Sequence, residues 1–73
     1  MNHRVAYDHH RLGYRVMKVF GHAFGQVWAE VADDHVYKHA ADADIACDAH
    51  ERGEDPTVAI KHYMGRMPRE ISE

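Results

Sequence analysis

The segment LGYRVMKVFGHAFGQVWAEVA, residues 12–32, has the clearest pattern of hydrophobic and polar positions in the chain, and two periodicities fit it. With a helical period, apolar residues recur at intervals of three and four, and polar residues fall on the opposite face. The apolar face then holds Leu12, Val16, Val19, Phe20, Ala23, Phe24, Val27 and Val31. The match extends over roughly five turns and predicts a long amphipathic helix.

The same segment also fits an antiparallel meander. The runs YRVMKVF and QVWAEVA would pair through GHAFG, and RVAY would supply a third strand. Alternation in VWAEVA places Val27, Ala29 and Val31 on one face, and the glycines of the segment favour turns over helix. Against this, alternation in YRVMKVF places Lys18 on an otherwise apolar face. We therefore favour the helix and keep a meander over residues 4–32 as the alternative.

The second half of the chain predicts two helices. Residues 35–52 are rich in alanine, lack Pro and Gly, and end before Gly53, a common residue just after a helix. In EDPT, Asp55 can cap a helix over residues 56–66, because Pro56 in the first helical position loses no hydrogen bond.

The favoured fold class is therefore mainly α, a single small domain of three helices over residues 1–73. The alternative is α+β, with the short meander followed by the same two helices. We expect residues 1–6 and 68–73 to be loose. A chain of 73 residues buries only about 60% of its unfolded surface, so a metal, a homo-oligomer or a larger partner would add needed stability.

Cysteine usage and hydropathy bound the cellular compartment. The single cysteine, Cys47, cannot form an internal disulfide and has no second thiol beside it for a redox pair or a zinc ribbon. The sequence has no apolar run of the length that a signal peptide or a membrane span needs. We expect a soluble cytoplasmic protein that has no membrane partner.

The charged residues are unevenly distributed along the chain. Residues 30–55 carry nine acids against two basic residues, whereas residues 1–29 carry four basic residues against one acid. An acidic surface repels nucleic acid and attracts a basic protein surface. Four cations are too few for a convincing phosphate-binding stripe, so we expect no direct binding of nucleic acid.

The run HVYKHAAD suggests a metal site. On a helix, His35, His39 and Asp42 lie at positions i, i+4 and i+7 of one face, and two imidazoles with a carboxylate suit zinc or another transition metal. The chain has eight histidines, so pairs at this spacing also arise by chance. A helix face without a metal or other cofactor is the favoured interpretation, and a small metal-binding module is the alternative.

An enzymatic function would need a nucleophile with a neighbouring base. Cys47 with His50 is the one local candidate, but the nearby carboxylates of Asp44, Asp48 and Glu51 would raise the pKa of the thiol and so disfavour the reactive thiolate. The sequence also lacks a glycine-rich phosphate loop. We expect no enzyme activity.

The favoured function is that of a non-enzymatic interaction or inhibitor protein that docks on a larger protein with a basic surface. Its predicted contacts come from the acidic stretch and from exposed aromatic residues: Asp42, Asp44, Asp48, Glu51, Phe24 and Trp28. The aromatic stripe could also pack into the core or form a homodimer. A short chain of this kind suits a phage or mobile-element inhibitor of a host nucleic-acid machine.

Overall fold

A computed structural model describes residues 2–71 and has an α+β fold. Its elements, in chain order, are β1 (His3–Asp8), β2 (Gly13–Ala23), β3 (Gln26–Val31), α1 (Ala40–Glu51) and α2 (Pro56–Met64). The strands form one antiparallel sheet in the order β1-β2-β3. The prediction of a mainly α domain with a long first helix is therefore wrong, and the architecture is that of the alternative, a meander followed by two helices.

The turn between β2 and β3 explains why residues 12–32 form strands. Phe24 and Gly25 both have positive φ, at 53° and 77°. Two such residues in a two-residue loop match the right-handed twist of antiparallel strands and close the hairpin tightly. Lys18, which argued against a strand, faces Glu30 across the hairpin, and its ammonium lies 5.7 Å from the centre of the Phe20 ring.

The helix predicted over residues 35–52 begins later, at Ala40. The preceding residues are extended because Tyr37 pairs with Tyr14 of β2, each backbone N–H donating to the other carbonyl at 2.7–2.8 Å. The start of α2 is as predicted: the Asp55 carboxylate accepts from the backbone N–H of Thr57 at 2.8 Å, and Pro56 is the first helical residue.

The two ends that were predicted to be loose are paired with other parts of the chain. Residues 3–6 lie within β1, and the backbone N–H of Ile71 donates to the Val36 carbonyl at 2.9 Å. The Lys38 N–H likewise donates to the Arg69 carbonyl at 2.8 Å. These residues therefore have backbone partners in the structure, and residues 1, 72 and 73 lie outside the described part of the chain.

The core lies between α1, α2 and one face of β1 and β2. Its largest fully buried apolar side chains are Val16, Tyr37 and Ile60, and most of the rest are alanines of α1 and α2. Within residues 2–71 neither helix lies against β3, and the molecule measures 42 × 28 × 16 Å. The hairpin of β2 and β3 therefore extends beyond the helices. Neither helix has the length and apolar character that crossing a bilayer needs.

Candidate protein-interaction surface

The hairpin of β2 and β3 exposes most of its large apolar side chains. We define the hairpin surface as the five that are exposed: Phe20, Phe24, Val27, Trp28 and Val31. The Trp28 side chain is 60% exposed, Phe24 is fully exposed, and every residue of β3 is classed as exposed. The core of this small protein thus contains no Phe or Trp, whereas the hairpin presents all three such residues of the chain to solvent.

The strand pleat divides β3 into two faces. Val27, Ala29 and Val31 share one face, where Val31 pairs opposite Met17, and Trp28 and Glu30 share the other. On this second face Trp28 is opposite Gly21, which has no side chain to pack against the indole. Both faces of the hairpin therefore offer apolar surface, which is unusual for a strand in a monomeric protein.

The backbone at Phe24 is strained, and no contact with the rest of residues 2–71 explains the residue. A φ of 53° puts a bulky side chain in the left-handed region, which Gly and Asn occupy at lower cost. The strain costs on the order of 1 kcal/mol. Since the ring is fully exposed, it recovers none of this cost by packing. The same strain at a residue surrounded by further exposed apolar side chains of the hairpin points to a role outside the folded chain.

The outer edge of β3 is open. None of residues 26–31 makes a backbone hydrogen bond on the side away from β2 with any residue in the described part of the chain. The continuation of the chain, residues 36–38, pairs with β2 beside Tyr14 and does not cover this edge. Unpaired N–H and C=O groups along a strand are a template for pairing with another strand.

The acidic stretch is largely occupied by contacts within the chain. Of the nine acids in residues 30–55, five hold a side-chain or backbone partner: Asp33, Asp42, Glu51, Glu54 and Asp55. Asp44 and Asp48 lie exposed on α1, and no ion pair engages either of them among residues 2–71. Part of the acidic surface that the sequence indicates is thus used within the chain, whereas Glu54 and Asp55 stay exposed beside their partners.

Asp42 is structural rather than exposed. Its side chain is completely buried and accepts from both terminal nitrogens of Arg66, at 3.0 and 3.1 Å, and from the Arg69 backbone N–H at 3.0 Å. Burial by itself raises the pKa of this carboxyl, but the bonds from Arg66 and Arg69 outweigh burial and hold the pKa below its ordinary value. Asp42 ties α1 to the C-terminal segment and has no surface to offer a partner.

Glu51 is also engaged internally. It accepts a hydrogen bond from the His3 backbone N–H at 2.5 Å, so it fixes the start of β1 to the end of α1. Of the six predicted contact residues, Phe24 and Trp28 lie on the hairpin, and Asp44 and Asp48 lie on α1. Since α1 does not contact β3, the structure does not bring the aromatic and acidic residues into one cluster.

The three predicted metal ligands do not converge. The premise of one helix is wrong, because His35 precedes α1 and His39 is its extended N-cap residue. The His35 ring hydrogen-bonds Glu70 and stacks on Tyr37, whereas Asp42 binds Arg66. Among residues 2–71 no three His, Cys, Asp or Glu side chains are arranged to hold a metal ion.

Cys47 and His50, the candidate nucleophile and base, contact different residues. The Cys47 thiol is buried in the core, and burial, together with Glu51 and Asp48, raises its pKa. The direction expected from the sequence is therefore confirmed. His50 hydrogen-bonds Asp33 at 2.5 Å and stacks on His3, so its ring nitrogen is not directed to the thiol.

Comparison of the chain with protein-family models, with curated proteins and with solved structures returned no match.

The open edge of β3 is the feature that sequence reasoning missed. The apolar residues on both faces of QVWAEV, with a single charge, were the available indication of an unprotected strand.

Proposed function

We propose that this chain is a small non-enzymatic interaction protein that binds another protein through the hairpin surface. The observation that carries the proposal is Phe24, fully exposed at a strained turn position between two strands that expose further apolar side chains. Contiguous apolar surface of this kind on a soluble domain is typical of a protein-binding site. Aromatic residues are also the side chains that contribute most to protein–protein interfaces.

The exposed acids of α1 support a second, weaker contact. Asp44 and Asp48 are exposed and form no ion pair among residues 2–71, so their charge would favour a partner with a basic surface, mainly by speeding encounter. Because α1 and β3 are not in contact, a partner that engages both must extend along the molecule. The narrower role of a phage or mobile-element inhibitor stays a prediction from composition, as does the cytoplasmic location.

The proposal can be tested by capture with matched variants. The immobilised chain is exposed to a cell extract, and bound proteins are quantified for the wild type and for Phe24→Ala and Trp28→Ala. The controls are Val58→Ala and Tyr63→Ala, which remove apolar side chains of similar exposure, 65% and 63%, from α2. A genuine partner is lost from both hairpin variants and retained by both controls. Binding that is indifferent to the hairpin substitutions, or equally lost in the controls, contradicts the proposal.

A further inference from the structure

The direction of the β3 backbone groups follows from one hydrogen bond. The Ala32 N–H donates to the Val16 carbonyl at 2.9 Å, so Ala32 directs its backbone toward β2. The N–H and C=O groups of successive residues point to alternate sides of a strand. The bulge between Val19 and Gly21 adds one residue, Phe20, to β2, so this alternation continues without interruption along β3. Val27, Ala29 and Val31 therefore direct their N–H and C=O groups to the open edge.

This edge lacks the usual protections of an exposed strand. Natural edge strands carry a proline, a bulge or an outward lysine, or are covered by another element. β3 has six residues, no proline and no bulge of its own, and its single charge, Glu30, faces Lys18 of β2. In the part of the chain that the structure describes, nothing covers the edge.

We propose that β3 pairs antiparallel with β3 of a second copy of this chain, about a two-fold axis at Ala29. This dimer rests on the proposed function, and it makes a second copy of the chain one partner of the hairpin surface. Ala29 then faces Ala29 of the second copy, and Val27 faces Val31 at both ends. The backbone groups of Val27, Ala29 and Val31 point to the open edge, so each of these pairs exchanges backbone hydrogen bonds across the junction. The two sheets become one continuous sheet.

The side chains fit this register on both faces. On one face the valines meet across the junction with alanine between them. On the other, Trp28 lies opposite Glu30 of the second copy, and the two indoles approach diagonally across the axis, within reach of large side chains. Glu30 lies directly opposite Trp28 of the second copy rather than opposite its own copy. The two Glu30 carboxylates are diagonal neighbours, as the two indoles are, and each lies beside Lys18 of its own hairpin.

The junction would bury apolar side chains of β3 itself. Trp28, Val27 and Val31 are 60%, 43% and 40% exposed in the single chain. The outward N–H and C=O groups of β3 would gain hydrogen-bond partners at the same time. A second copy is favoured over an unrelated strand because a two-fold pairing is self-complementary, and because a small alanine-rich core gains from permanent association.

Charge substitution at the axis tests the register as well as the dimer. Sedimentation velocity is measured for wild type, Ala29→Lys, Ala29→Glu and an equimolar mixture of the two variants. The expected result is a dimer for wild type, monomers for each variant alone because like charges meet at the axis, and a restored dimer in the mixture. Val58→Lys, which places the same charge on exposed α2, is expected to remain dimeric. Circular dichroism establishes that each variant is folded.

A wild-type monomer at high micromolar concentration overturns the inference, and so does a dimer that Ala29→Lys leaves intact. A mixture of folded variants that stays monomeric overturns the two-fold axis at Ala29. None of these results touches the capture experiment, because loss of a different protein in Phe24→Ala and Trp28→Ala would still support the proposed function. Conversely, the chain could form the dimer while no other protein depends on the hairpin for capture. The second copy would then be the partner that the hairpin surface binds.

Discussion

Phe24 shows at the scale of one residue how folding and function make different demands. Asn occupies the left-handed region at lower cost than Phe and suits the first position of this turn. We expect Phe24→Asn to raise the free energy of unfolding by about 1 kcal/mol, measured by urea denaturation, while it weakens partner capture.

Leu12 provides the matched control for Phe24. It is also exposed, at 69%, and has a φ of 57°, but it lies in the turn between β1 and β2, away from the hairpin surface. Leu12→Asn is expected to relieve similar strain and leave capture unchanged. Unaltered capture by Phe24→Asn, or a loss by Leu12→Asn as well, would remove the argument that strain marks the binding residue.

Asp42 is expected to contribute to stability rather than to binding. Asp42→Asn leaves the Arg66 guanidinium without its carboxylate and weakens three hydrogen bonds at a fully buried position. We expect a loss of about 2–4 kcal/mol in the free energy of unfolding. Asp44→Asn, two residues along the same helix but exposed, is expected to change it by less than about 0.5 kcal/mol. Equal effects of the two substitutions in urea unfolding would contradict this role.

The Asp42 carboxyl also predicts a response to acid. Its pKa in the folded protein lies below the ordinary value of 3.8, so its contribution to stability is present above that pH and is lost as the pH falls through the folded value. Thermal unfolding followed between pH 7 and about pH 2.5 is expected to show a steep loss of stability at the acid end. The loss should be shallower in Asp42→Asn, and an unchanged slope in that variant would refute the assignment.

At the scale of elements, the C-terminal segment locks the start of β2. A Cβ added at Gly13 would lie 2.6 Å from side-chain atoms of both Val36 and Ile71. We expect Gly13→Ala to destabilise the protein by about 1–3 kcal/mol through overpacking. In Gly21→Ala, on the same strand, a new Cβ meets nothing within 4 Å, so stability should be unchanged or slightly higher. Similar melting temperatures for the two variants would show that the segment does not pack as described.

The elements also show how far the sequence alone can lead. α2 was predictable because its capping residues, Asp55 and Pro56, act on their own neighbours. The hairpin was not, because the objection raised by Lys18 disappears only when Glu30, twelve residues away, is placed opposite it. The sequence predicted a helix at His35, but the structure has extended backbone there. The cause is the pairing of Tyr37 with the distant Tyr14, which the local sequence does not reveal.

The same distinction applies to the candidate site. Exposure of Phe24 and Trp28 could be proposed from the sequence, but the burial of Asp42 could not, since its partner Arg66 lies 24 residues further along. Sequence counting treated all acids of residues 30–55 as available charge. In the folded protein five of these nine acids bind other groups of the chain. The charge available to a partner therefore depends on which carboxylates are exposed and unpaired, not on the net charge of the segment.

At the scale of the whole molecule, the protein has a compact half and an exposed half. Helix α1 covers β1 and part of β2, α2 packs on α1, and the alanine-rich core between them includes Tyr37 and Ile60. The hairpin carries both Phe residues and the Trp of the chain, all exposed, and no helix lies against β3 within residues 2–71. Such a division suits a protein whose stability and function both depend on a surface supplied by another molecule.

Site-specific photocrosslinking in cells tests the hairpin surface most directly. A photoreactive phenylalanine analogue is placed at position 28 in one variant and at position 63, on α2, in another; the native side chains there are 60% and 63% exposed. We expect position 28 to give discrete crosslinked products, a second copy of the chain or a larger protein, and position 63 to give none. No product at position 28, or the same products at both positions, would contradict the assignment of the hairpin as the interaction surface.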